Sequence, residues 1–290
     1  MKRIIVIFIV FIAIGGFIYS FNRMGGIGFQ KEESFDFAKI KDIEINNESW
    51  DVEFKHSESK RITIAAKGKQ KDNKSVPVTI EHKGNKLVVN QINKKEKGVL
   101  QGFSFGKVGK ISISIPDNET ETITLSNRSG DIEIKNIALS NLDVSNISGS
   151  ETITGLSVKK GTFTSKEGEL NIKNSSLNEL SITSQTSDSY ITNITSPKIK
   201  ITSTDGEVLV KEAKEGDFLF VETKSGDISV AYKEDPKSLL LTANNDAADI
   251  TVGLDNMKKI KNTGKAKEGM IGDAANHVKL VSKHGTISIK

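Results

Sequence analysis

The chain has 290 residues, of which 36% are hydrophobic but only 6% aromatic, with 24 Gly, four Pro and no Cys. The missing cysteines exclude disulfides, thiolate metal sites, Cys nucleophiles and a lipoprotein attachment cysteine, and the richness in Ile, Val, Ser, Thr and Asn is strand-and-turn chemistry, not disorder. The formal charge of +4 nearly vanishes once Lys2, Arg3 and Arg23 beside the apolar start are set aside, leaving 38 basic against 37 acidic residues, so no basic surplus points to nucleic acid.

Residues 1–23 read as a membrane anchor. Ile4 to Phe21 is an uncharged run of 18 residues, which as a helix spans roughly 27 Å and just crosses a bilayer. Lys2 and Arg3 before it, against Arg23 alone after it, put the N-terminus in the cytoplasm and the body outside. A cleaved signal peptide is the competing reading. The run is longer than a usual signal core and lacks an A-x-A-like site, so an uncleaved anchor is expected. Residues 24–38, opening on Gly25-Gly26-Ile27-Gly28, read as a tether.

Residues 39–122 read as an N-terminal β region. Ile43 to Phe54 has the spacing of one solenoid rung, followed by Ile62-Thr63-Ile64-Ala65. A hairpin is expected from Val76–Ile80 to Leu87–Val89 through Lys83-Gly84-Asn85. Lys94 to Gly109 reads as a loop, and Ile111 to Ile115 as a strand ended by Pro116.

Residues 123–290 carry a repeat. Gly130, Gly149, Gly168, Gly206 and Gly226, with Ser187 in the place of the missing glycine, recur every 19 or 20 residues. Leu125, Val144, Phe163, Ile182, Ile201 and Val221 keep the same period five residues earlier, and Ile134, Ile153, Ile172, Ile191, Val210 and Val230 four residues later. Ile137, Leu156 and Ile194 mark a third apolar corner. Each unit exposes an apolar edge that only a neighbour covers, so the expected fold is all-β: a single-stranded β-solenoid of about 19-residue rungs behind one transmembrane helix. Eight rungs at ~4.8 Å would make a rod roughly 40 Å long. The S-G-D turns at 129–131 and 225–227 fit a corner needing φ > 0. Residues 253–277 read as a Gly/Lys/Asn-rich excursion before a final rung.

Chemistry is sparse. His56, His82, His277 and His284 lie in no metal-binding spacing, and no nucleophile elbow or phosphate loop occurs. After the turn glycine come Asp131, Ser150, Glu169, Asp188, Glu207 and Asp227. The five carboxylates would stack about 5 Å apart, a candidate column for a cation or cationic peptide, set against ordinary solvated turn residues with Lys135, Lys173 and Lys211 as counter-charge. The row Ser126, Ser145, Thr164, Thr183 and Thr202 is a candidate glycan surface, and Trp50 and Tyr190 are the aromatics to check.

The Ile115-Pro116 strand end, the S-G-D-I-x-I units and the short hydrophobic anchor resemble the bacterial "putative adhesin" domain of unknown function, LiaG-like envelope-stress membrane proteins in particular. The resemblance covers about Ile43 to Lys290 and implies a β-solenoid at the cell surface linked to envelope stress, with no catalytic residues to transfer. The expected function is a non-enzymatic extracytoplasmic binding or scaffold module without cofactor. Its expected partners are the bilayer through Ile4 to Phe21, and cell-wall polymer, a cationic peptide or another membrane protein. A β-helical carbohydrate-active enzyme using the acid column is the alternative.

Overall fold

The computed structural model describes residues 27–70, 76–92, 109–116, 120–247 and 249–290. The anchor expected at Ile4 to Phe21 lies outside them, and so does the loop expected from Lys94 to Gly109 except for Gly109 itself, which opens a strand. Among the described residues no helix is long and apolar enough to cross a membrane.

The repeat folds as its alternation requires. β8 (Thr122–Asn127) turns Ile123 and Leu125 inward and Thr122, Thr124 and Ser126 outward. A turn through Gly130 leads to β9 (Ile132–Lys135), whose Ile132 and Ile134 are buried, and Ile137 fills the third corner. The next copies are β10 (Ala138–Asn146) with β11 (Ser150–Thr154), and β12 (Ser157–Ser165) with the start of β13 (Glu169–Ser184). The end of β13 with β14 (Asp188–Thr195) follows, then β15 (Lys198–Ser203) with β16 (Val208–Ala213), and β17 (Phe218–Thr223) with β18 (Ile228–Tyr232). All pair in parallel and in the expected register, from Leu125 beside Val144 to Ile201 beside Val221, and from Ile134 beside Ile153 to Val210 beside Val230.

The ends depart from chain order. The first rung in sequence, β2 (Asp42–Asn47) and β3 (Asp51–His56), lies between β8–β9 and a further rung of β6 (Lys86–Gln91) and β7 (Gly109–Ile115). At the other end the last rung, β23 (Asn276–Ser282) and β24 (Ile287–Ile289), is inserted between β17–β18 and a rung of β19 (Leu239–Asn245) and β20 (Ile250–Val252). The stack therefore has ten rungs where eight were expected: the upstream copy β2–β3 joins the ladder, and so does β6–β7, whose two strands are separated in sequence by residues 92–108 and so show no rung spacing. Nine steps of ~4.8 Å give an axis about 43 Å long.

Antiparallel strands close both ends. β4 (Arg61–Gln70) pairs with β7, and β1 (Ile27–Asp36) with β4. β5 (Val78–Lys83) forms the expected hairpin with β6. At the far end β22 (Ala266–Ile271) pairs with β19, and β21 (Lys258–Asn262) with β22. Two sequence readings are corrected here. The tether expected over 24–38 contains β1, held because Phe29 and Phe35 alternate onto the body, Phe29 edge-on to Trp50 at 6.0 Å between ring centroids. The excursion of 253–277 contains the β21–β22 hairpin and the start of β23. One apolar core runs from Ile40 to Ile289.

Candidate functional site

Behind the outward Ser/Thr row lies a buried polar row that the sequence reading missed. It occupies the next, inward position of each rung: Gln91, Asn47, Asn127, Asn146, Ser165, Ser184, Ser203, Thr223, Ser282 and Asn245, all buried. Alternation from Leu125 inward and Ser126 outward was the signal, since it turns Asn127 back inside. The amides pass one hydrogen bond up the stack. Asn47 Nδ2 donates to Asn127 Oδ1 at 2.5 Å and Asn127 Nδ2 to Asn146 Oδ1 at 2.7 Å. Each also donates to the carbonyl of the turn, Asn127 to Gly130 O at 2.9 Å and Asn146 to Gly149 O at 3.0 Å. The ladder thereby satisfies turn carbonyls that would otherwise be buried unpaired.

Glu151 ends the asparagine run. It occupies a core column between Ile132 and Leu170 and is fully buried. Its Oε1 accepts from Asn146 Nδ2 at 3.0 Å and from Ser165 Oγ, while Oε2 has no partner. Burial pushes its carboxyl up to about 7, against the opposing effect of those two hydrogen bonds.

The turn glycines have a second reason besides φ. Gly149 does lie at φ +108, but a Cβ there would also stand 2.3 Å from Gly130 O of the rung below. Gly206 and Gly226 lie outside the left-handed region, and close approach alone explains them: a Cβ would lie 2.0 Å from the carbonyl oxygens of Ser187 and Gly206.

Several members of the acid column hydrogen-bond to backbone amides of the neighbouring rung. Asp51 Oδ1 accepts from Asp131 N at 3.0 Å, Asp131 Oδ1 from Ser150 N at 3.2 Å, Asp188 Oδ1 from Glu207 N at 2.8 Å and Asp227 Oδ1 from Thr286 N at 2.6 Å. Each carboxylate carries the ladder across the turn. Glu169 instead accepts from Asn171 Nδ2. Among the described residues no group of three or more His, Asp or Glu is arranged to hold a metal ion. Tyr190 stands over this column, its hydroxyl 3.2 Å from Glu207 Oε2 and 3.5 Å from Asp188 Oδ2. Burial and the two carboxylates push its phenol up to about 12, so it stays a neutral donor. Trp50 is buried core, with Gly109 packed on its ring, and offers no platform. The four histidines are exposed and scattered along the body.

A groove of about 340 Å³ lies at the N-terminal end, crossing the rungs of β6, β2, β8 and β10. It runs between the outward row, Asn90, Asn46, Ser126 and Ser145, and the turn row that carries Ile92, Glu48, Arg128 and Ile147. Asn46 Nδ2 donates to Asn90 Oδ1 at 3.0 Å. Ile92 and Ile147 are exposed, and the groove's two charges, Glu48 and Arg128, approach each other at 3.8 Å. The groove thus offers amides and hydroxyls with little net charge, and it takes in two members of the Ser/Thr row.

No curated protein matches the chain in sequence. A solved structure shares its fold. A putative adhesin from Bacteroides fragilis superimposes with a TM-score of 0.54 at 14% identity, over 90% of this chain and 96% of that one. A putative adhesin from Parabacteroides merdae gives a TM-score of 0.47 at 14% identity, over 91% and 96%. The profile described as Toastrack DUF4097 matches residues 40–290, the whole stack from the buried Ile40 to the last strand, and the chain belongs to that family.

Proposed function

We propose that the chain is a membrane-anchored, extracytoplasmic, non-enzymatic binding module of adhesin type, acting in cell-envelope maintenance or stress. Ile4 to Phe21 hold it in the bilayer with the N-terminus in the cytoplasm, and the solenoid meets wall polymer outside. The groove across β6, β2, β8 and β10 carries this reading. Its uncharged amides and hydroxyls repeat at the rung spacing of ~4.8 Å, a pattern suited to a polymer that repeats its own hydroxyls. The description of the Bacteroides fragilis neighbour as a putative adhesin agrees with it.

The enzymatic alternative loses support from the same geometry. A glycosidase needs two free carboxylates flanking one bond. Asp131, Asp188 and Asp227 are occupied with backbone amides, and the groove holds only Glu48, beside Arg128.

The test is sedimentation of the purified full chain with insoluble wall polymer, comparing wild type with Ser126→Arg/Ser145→Arg, which fills the groove from exposed positions. Loss of at least about tenfold in affinity is expected. Equal binding by the double variant refutes the groove, and no binding by wild type refutes wall polymer as the partner. Fractionation of cells, with protease added outside, checks the anchor and its direction separately.

A further inference from the structure

The outward face at the C-terminal end is chemically unlike the rest of the stack. Six strands lie side by side there in the order β15, β17, β23, β19, β22, β21. Paired residues point to the same side of a sheet, so register fixes what this face presents. One row reads Lys198, Phe218, His277, Leu240, Met270, Lys258, and the next Lys200, Phe220, Lys279, Thr242, Glu268, Lys261. Phe218 is 39% exposed, and its ring lies parallel to that of Phe220 with centroids 6.3 Å apart. Lys279 Nζ sits 5.7 Å from the centre of the Phe220 ring. The outward positions of these strands therefore hold an apolar centre of Phe218, Phe220, Leu240 and Met270. Five lysines surround it, against the two carboxylates Glu222 and Glu268.

We propose that this face docks on an anionic phospholipid bilayer. It is a sheet surface roughly 24 Å across, so its partner is broad and flat. Lysines at the rim meet lipid phosphates while the apolar side chains between them meet the headgroup–acyl boundary. The alternatives match less of the face. A second copy of this chain would press lysine rim against lysine rim. A soluble polyanion would satisfy the lysines and leave Phe218, Leu240 and Met270 facing nothing apolar. The proposal takes from the proposed function only that the body stands outside a membrane. Docked this way, a rod of about 43 Å lies along the bilayer and does not stand up from it.

The test uses the full chain carrying Thr242→Cys labelled with a polarity-sensitive dye, a unique site because the sequence has no cysteine. The protein is placed in nanodiscs of phosphatidylcholine alone or with about a third phosphatidylglycerol, a composition that makes the surface negative. A blue shift in the anionic discs is expected, reversed by high salt. Lys198→Glu/Lys200→Glu/Lys279→Glu should reduce the docked fraction at least about tenfold. Unchanged thermal unfolding of that triple variant establishes that it is folded. No shift in anionic discs overturns the proposal, as does an equal shift in neutral discs. A shift produced in neutral discs by soluble polyphosphate also overturns it, in favour of a polyanion. Failure to enter neutral discs at all counts against the anchor, and the face is then read by adding anionic vesicles to the labelled chain.

Discussion

A carboxylic acid in a core column should make this solenoid less stable as pH rises through neutrality. Glu151 keeps its proton in the folded chain up to about 7, whereas the ordinary carboxyl of an unfolded chain releases it near 4.5. Between those values the folded state binds more protons than the unfolded state, so stability falls with rising pH. The contribution is fully present below 4.5 and is lost as pH passes about 7. At about 1.4 kcal/mol per pH unit the loss over that window is about 3 kcal/mol. Other carboxylates work in the opposite sense, among them Glu44, held low chiefly by its hydrogen bond from Lys86, so the wild-type profile alone does not isolate the effect. Glu151→Gln does. Its amide oxygen still accepts from Asn146 and Ser165, and it cannot ionise. Urea unfolding of both proteins across pH 4.5 to 7.5 should show the variant gaining on wild type by about 3 kcal/mol. A stability difference that stays constant with pH would refute the assignment of a protonated Glu151.

The turn column predicts that Gly149→Ala destabilises by about 2–3 kcal/mol, because its Cβ meets the Gly130 carbonyl at 2.3 Å and φ is +108. Gly28→Ala, with nothing within 4 Å, should stay within about 0.5 kcal/mol of wild type, and equal effects in thermal unfolding would refute the close-approach argument. Asn127→Ala should cost about 2–4 kcal/mol, since it removes the acceptor of Asn47 and the donor to both Gly130 O and Asn146. A loss below about 1 kcal/mol in urea unfolding would mean that the ladder is dispensable. At the opposite corner Asn136, Gly155, Asn174 and Asn193 hold left-handed backbone at the repeat spacing, and Glu212 follows them at φ 49. Glu212→Asn should raise stability by about 0.5–1 kcal/mol, visible as a higher Tm.

The parts of the fold legible in the sequence are those fixed by the repeat. Period-two alternation and a constant interval put Leu125, Val144 and Phe163 in one column without any knowledge of the coil's path, and the observed register agrees. The buried polar row behind the outward Ser/Thr row was not read. The row through Ser126 and the row through Asn127 are equally rich in turn-forming polar residues, and composition does not tell an exposed hydroxyl from a buried amide. Only counting from Leu125 does so. Glu151 was readable by the same count, as an acid two residues before Ile153 in a column otherwise holding Ile132 and Leu170. The aromatic face was invisible for a different reason. Phe218 and His277 are far apart in sequence and meet only because the last rung is slotted against β17.

That slotting bears on how a stack of parallel strands avoids growing without limit. A rung at the end of a solenoid presents open N–H and C=O groups to any passing strand, and the period contains nothing that says stop. Here the chain enters at the second rung from one end, covers the end rung with β4 and β5, and only then climbs the stack. It leaves in the mirror sense, building β19–β20, covering β19 with β22, and returning to close the stack one rung below the end. The end rung β6–β7 is thus paired on both sides along both strands, and the end rung at the other pole is paired on both sides along β19. The outermost strands carry charge as well: Lys31 and Glu33 on β1, Glu81 and Lys83 on β5, and Lys258, Lys259 and Lys261 on β21. Such edges resist further pairing. Lys258 and Lys261 of β21, which help blunt one edge, also stand on the rim of the aromatic face, so end protection and surface recognition share two side chains at that pole.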